Sequence, residues 1–140
     1  MTIIPTQTQP KKRQHKNEEA ILQSQAFVWL HNTHEETRGL FFSVLNETNP
    51  WNMSKKEQQV LGAMRKMRGV VAGISDGILL LPKGNYHFCC AEAKTTDKNS
   101  RQSEAQVTFQ RNVERVGGYY FIYRTLDEFK ETMEWYLNLE

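Results

Sequence analysis

Cysteine is almost missing from this sequence. Its two copies, Cys89 and Cys90, are neighbours, and a bridge between adjacent residues is strained, so no disulfide framework is expected. No second Cys or His pair stands at ligand spacing, which argues against a structural zinc site. His31-x-x-His34 lacks the Glu of a zincin helix and a third ligand, and reads as a helix end and loop. Cys89 and Cys90 are then two small buried hydrophobes. Long apolar runs are missing too. Nothing approaches the ~20 residues that cross a bilayer, and the polar N-terminus has no signal-peptide core. A soluble, cytoplasmic protein with no membrane partner is expected. A large charge of one sign is also absent, the net being +2.

What is present suffices for one folded domain. Hydrophobic residues make up 39% and aromatics 11% of 140 residues, enough for a single core. The charge is unevenly spread. Residues 1–16 carry Lys11, Lys12, Arg13 and Lys16 with no acid, and 54–68 carry Lys55, Lys56, Arg65, Lys66 and Arg68 against Glu57 alone. Such runs can follow a phosphate backbone or simply face solvent. Rich in Gln, Pro, Thr and Lys, residues 1–16 read as a disordered basic arm before a single domain over 17–140.

The element pattern is αβα, ββ, αβα. Asn17 can cap a first helix that ends near His31 to Thr33, with Ile21, Leu22, Phe27, Val28 and Leu30 on its apolar face. Leu40 to Leu45 is a short strand before a turn at 46–50, in which Asn46 reads as a turn residue. Ser54 caps a second helix to about Arg68. Strands follow at Asp76 to Leu81 and Tyr86 to Lys94, joined by a Pro82-Lys83-Gly84-Asn85 turn. A third helix spans Ser103 to Val116 and stops at Gly117-Gly118. Tyr119 to Tyr123 is a strand, and Thr125 caps a last amphipathic helix. Trp29, Phe109, Trp135 and Tyr136 read as core. This order predicts an α/β fold, a mixed sheet flanked by helices on both faces.

The hairpin concentrates the chemistry. Fifteen residues separate Asp76 from Glu92, the length of strand, turn and strand, so the two carboxylates can lie side by side. Glu92 and Lys94 are two apart and share a face, which puts His87 on the other. Paired carboxylates hold hard cations such as Mg²⁺. A cation polarises a phosphoryl oxygen and acidifies water, and a nearby ammonium can orient that water. Glu-x-Lys alone is weak: Glu128-Phe129-Lys130 repeats it on a helix, where a solvated face explains it. Glu92-Ala93-Lys94 differs because it follows the apolar run Phe88 to Ala91, where burying charge is costly. A salt-bridged strand end remains the plainer alternative.

From about Glu19 to Leu137 the chain resembles the VRR-NUC family, a branch of the PD-(D/E)xK nucleases. Gly73-Ile74-Ser75-Asp76 and the apolar strand after it look like the family's Gly-x-Pro-Asp, with Ser75 in place of the proline. Cys90 to Lys94 looks like its Glu-x-Lys strand, and Ser103-Glu104-Ala105-Gln106 like its Ser-x-x-Gln helix entry. The resemblance implies a restriction-endonuclease-like α/β/α core and a Mg²⁺- or Mn²⁺-dependent endonuclease. It implies that Asp76, Glu92 and the Ala93 carbonyl bind metal, that Lys94 serves the attacking water, and that Gln106 sits near metal or phosphate. It also implies that Glu19, with Glu18 as fallback, reaches the site from the first helix as a further catalytic and metal-binding carboxylate. The macrodipole alone would also favour both glutamates there, and a capping box alone would explain Ser103 with Gln106. Branched DNA such as a Holliday junction is the implied substrate, cut by a homodimer or larger homo-oligomer in a prokaryotic or phage-infected cell. Candidate phosphate contacts are Lys55, Lys56, Arg65, Lys66, Arg68, Lys98 and Arg101. The rival reading is a nucleic-acid-binding module of the same fold without catalysis.

Overall fold

The computed structural model describes residues 11–45 and 53–140. Four strands form one sheet in the order β1 (Phe41–Ser43), β2 (Gly77–Leu79), β3 (Cys89–Ala93), β4 (Tyr119–Tyr123). The first three pair antiparallel, and β4 lies parallel to β3 with Glu92 opposite Ile122. Parallel neighbours require a crossover, supplied here by α3 (Glu104–Arg115). The long α1 (Lys11–Thr33) and the final α4 (Leu126–Leu137) cover one face, where Ala26, Leu30, Ala91, Phe121, Phe129 and Tyr136 are buried together. The other face carries α3, with Val113 packed on Cys90 and Tyr120. The mixed sheet and its helical layers are those expected.

Local chemistry sets most boundaries. Ser103 and Ser54 each close a capping box, with Gln106 and Glu57 as the returning partners. Thr125 accepts from the Glu128 N–H at 3.1 Å. Gly117 follows α3 at φ +84°, where a left-handed residue ends a helix. Lys83 and Tyr86 exchange both backbone hydrogen bonds across Gly84-Asn85, so the β2–β3 connection closes in a tight turn. Strands are shorter than the sequence suggests: β2 begins after Asp76 and β3 begins at Cys89. The connection is instead pinned to α4, because the Tyr136 hydroxyl donates to the Leu81 carbonyl at 2.7 Å.

Three expectations change. Helix α1 starts at Lys11, not at Asn17. No Gly or Pro interrupts 11–17, and Lys, Arg and Gln suit a helix interior. The arm predicted for 1–16 is therefore helical from Lys11. Residues 1–10 lie outside the described residues, as does the turn at 46–50 with Asn46. Helix α2 (Lys55–Met67) belongs to neither layer, for none of its residues is buried and Met67 is 88% exposed. Trp135 is 46% exposed, so it is a surface residue and not core. Among the described residues no helix is long and apolar enough to cross a membrane.

Candidate active site

The site forms where β2 begins and β3 ends. Along β3, Cys89, Ala91 and Ala93 face the α1–α4 core, while Cys90 faces α3. Strand alternation therefore turns Glu92 and Lys94 to the α3 side. Both are nearly sealed, at 2% and 8% exposure. A buried acid and amine are expensive unless they are hydrogen-bonded, and among the described residues no buried side-chain nitrogen or oxygen lacks a partner. One Glu92 oxygen accepts from the Asp76 N–H at 3.2 Å, the other from Gln106 Nε2 at 2.6 Å. Lys94 Nζ donates to Gln106 Oε1 at 3.0 Å and stands 4.0 Å from Glu92. Asp76 Oδ2 accepts from the Ala93 N–H at 2.8 Å. The N–H and C=O of a strand residue point to the same side, so the Ala93 carbonyl also faces the Asp76 edge.

Gln106 does two jobs at once. Its Oε1 takes the Ser103 N–H at 2.9 Å, completing the capping box, and also the Lys94 ammonium. Its Nε2 reaches Glu92. The cap and the site are thus one hydrogen-bonded unit. The loop before Asp76 is pressed onto the same helix start: a Cβ on Gly73 would overlap the Ala105 carbonyl.

Burial, then the charge of Asp76, pushes the Glu92 carboxyl up to about 8, against the pull of Lys94. Asp76 is raised as well, chiefly by burial and despite the Ala93 hydrogen bond. Two desolvated carboxylates, with the charge of Asp76 opposing the ionisation of Glu92, are a site for a proton or a cation. Among the described residues no three His, Cys, Asp or Glu side chains close on one point. Two carboxylates and a peptide carbonyl still suit Mg²⁺, which keeps several of its waters.

A pH dependence follows from this pair. Folded Glu92 holds its proton up to about 8, against an ordinary carboxyl value of 4.5. Its contribution to metal-free stability is full below the lower value and is lost as pH rises through the upper one. Metal-free melting temperature should fall across that window, and Mg²⁺ should restore it more at the alkaline end. Melting curves with and without Mg²⁺ check this. Equal Mg²⁺ effects at both ends of the window would contradict it.

Glu19 is the α1 carboxylate facing the site, whereas Glu18 is exposed. Glu19 accepts the Thr95 backbone N–H; burial raises its pKa, and the charges of Lys94 and Asp76 both act on it. It therefore sits beside the carboxylate pair. Lys55, Lys56, Lys66 and Arg68 lie exposed on and just after α2, with Arg65 half-buried there, and Lys98 and Arg101 lie exposed on the loop after β3. His34 bridges Glu36 and Glu134, tying the end of α1 to α4. Cys90 is pushed up to about 11 by burial, and Cys89 is likewise raised by burial, so neither is a ready nucleophile. The sequence reading missed Arg124, His15 and Asp97. The contacts of Arg124 with the loop after β3, and of His15 with Asp97 in that loop, span long sequence separations and leave no local pattern.

A solved structure described as a VRR_NUC domain protein superposes on this chain with a TM-score of 0.71. The match covers 87% of this chain and 89% of the other, at 20% sequence identity. No family model matches the chain, nor does any curated protein. At that identity the likeness is one of fold, and the chain has the fold of a VRR_NUC domain protein.

Proposed function

We propose that this chain is a VRR-NUC nuclease, a divalent-metal-dependent endonuclease that hydrolyses phosphodiester bonds in DNA. The observation that carries the reading is the buried set at the end of β3. Glu92 accepts from the Asp76 N–H and Asp76 from the Ala93 N–H, with Lys94 held 4.0 Å from Glu92 by Gln106. Asp76, Glu92 and the Ala93 carbonyl would hold Mg²⁺ or Mn²⁺. When bound, the cation supplies a Lewis acid for a phosphoryl oxygen and lowers the pKa of water.

The chain's own residues supply the rest. Gln106 fixes the Lys94 ammonium, which can orient the attacking water and offset negative charge growing on phosphate. Burial strengthens that interaction, because less water screens it. Glu19 stands close enough to take part in the proton balance of the pair. The cations on α2 and on the loop after β3 offer contacts to phosphates, which position a strand without reading its bases.

Phosphate contacts that position a strand without reading its bases fit a substrate recognised by shape. We infer branched DNA, such as a Holliday junction, and a homodimer or larger homo-oligomer, since symmetric cutting of two strands calls for two related sites. The test is a panel of labelled single strands, linear duplexes, flaps and four-way junctions in Mg²⁺ or Mn²⁺, with sedimentation on the same preparation. Branched DNA should be cut preferentially by a dimer or larger species. Binding without cutting on every substrate would favour the catalytically inert module. A monomer at working concentration would remove the paired-cut reading.

A further inference from the structure

The loop over 95–102 leaves Lys94 and returns to the Ser103 cap of Gln106, so it runs along the rim of the site. It is polar throughout, and hydrophobic burial does not fix its shape. Hydrogen bonds do. Arg124, just beyond β4, donates from Nη1 to the Thr95 carbonyl at 2.5 Å and from Nη2 to the Ser100 carbonyl at 2.8 Å. The Arg124 backbone N–H is itself held by Glu128, at 2.6 Å. Within the loop, Asp97 accepts from the Asn99 N–H at 2.9 Å and its carbonyl accepts from the Ser100 N–H at 2.9 Å. From the other side, His15 Nε2 of α1 lies 3.1 Å from Asp97 Oδ2. Lys98 and Arg101 stand exposed on this braced segment.

We propose that Arg124 is a positioning residue that holds the 95–102 loop as a rigid shelf, so that Lys98 and Arg101 meet the phosphates of the DNA strand lying in the site. This rests on the nuclease reading above. A loop ordered only on binding would charge its entropy against affinity, whereas one ordered beforehand does not. The forked guanidinium suits this role because it reaches two carbonyls at once. A lysine ammonium keeps the charge but not the fork.

The experiment is fluorescence anisotropy of a labelled four-way junction in EDTA. It compares wild type, Arg124→Lys, the Lys98→Ala/Arg101→Ala pair, and all three substitutions together. Melting temperature and Mn²⁺ affinity are measured on each. Arg124→Lys should bind DNA roughly five- to tenfold more weakly, with Mn²⁺ affinity unchanged. In the Lys98→Ala/Arg101→Ala background the same substitution should add less than about twofold, because the shelf then has nothing to present. Wild-type affinity in Arg124→Lys, or a full additive loss in that background, overturns the proposal. If Arg124→Lys melts early, Asp97→Ala loosens the shelf from the α1 side, and wild-type affinity there also overturns it. A wild-type protein that neither binds nor cuts DNA in any metal removes the nuclease reading itself. One that binds and cuts DNA, with Arg124→Lys indistinguishable from it, removes only the shelf.

Discussion

Asp76→Ala should abolish both the thermal stabilisation by Mg²⁺ and the cutting of DNA, while Lys94→Met should abolish cutting and keep the stabilisation. The two side chains stand in one hydrogen-bonded cluster, and the proposed function gives them different work. Asp76 supplies one of two carboxylates and accepts from the Ala93 N–H at 2.8 Å. Without it, Glu92 is a lone buried acid and the cation has half its charged ligands. Lys94 donates to Gln106 at 3.0 Å and stands 4.0 Å from Glu92. Met keeps the length of its buried stem and removes only the ammonium. Gln106 still has the Ser103 N–H for its oxygen, so the frame survives. The cost to the chemical step should be roughly a hundred- to a thousandfold, as for the loss of one preorganised donor. Melting in Mg²⁺ and single-turnover cutting, run on both variants, separate the roles. Equal loss of Mg²⁺ stabilisation in both would show that Lys94 belongs to the binding site and not to the reaction.

Gly73→Ala should be the most damaging small substitution outside the charged cluster. Gly73 has φ +74°, and a Cβ there would overlap the Ala105 carbonyl and lie 2.5 Å from the Gln106 backbone nitrogen. These are backbone atoms in the first turn of α3 and cannot swing aside. Relief requires a shift of the loop before Asp76 or of the helix start that carries Gln106. Strain and overpacking together should cost about 3 kcal/mol or more. Gly69 is the control: its φ is +84°, yet a Cβ there meets nothing within 4 Å. Gly69→Ala should cost only the backbone strain, about 1 kcal/mol. Urea unfolding of both variants measures the difference. Equal midpoints would mean that the loop before Asp76 is not wedged against α3.

The sequence carried the parts of this arrangement that local chemistry controls. Ser54, Ser103 and Thr125 each start a helix because a hydroxyl followed three residues later by Glu or Gln has one favourable use. The parity that turns Glu92 and Lys94 to one face is a property of any strand. The rest depends on distant partners. Gly73 reads as a loop glycine, and nothing nearby shows that Ala105 will lie against it. Arg124 carries no local signal, because Thr95 and Ser100 are 29 and 24 residues away. The helical start of α1 was hidden by polar residues with no apolar period, and its brace through His15 and Asp97 spans most of the chain. Helix α2 has the caps and pattern of a covering helix yet buries none of its residues. Amphipathic spacing alone does not say what covers the apolar face.

The most direct measurement is DNA cutting as a function of Mn²⁺ concentration, by wild type and by Glu92→Gln. The substitution keeps size and shape and removes the carboxylate that Asp76, Gln106 and Lys94 surround. Wild type should cut with saturable dependence on Mn²⁺ and stop in EDTA, and Glu92→Gln should not cut at any concentration. Cutting by Glu92→Gln at the wild-type rate, or wild-type cutting that persists in EDTA, would contradict the account.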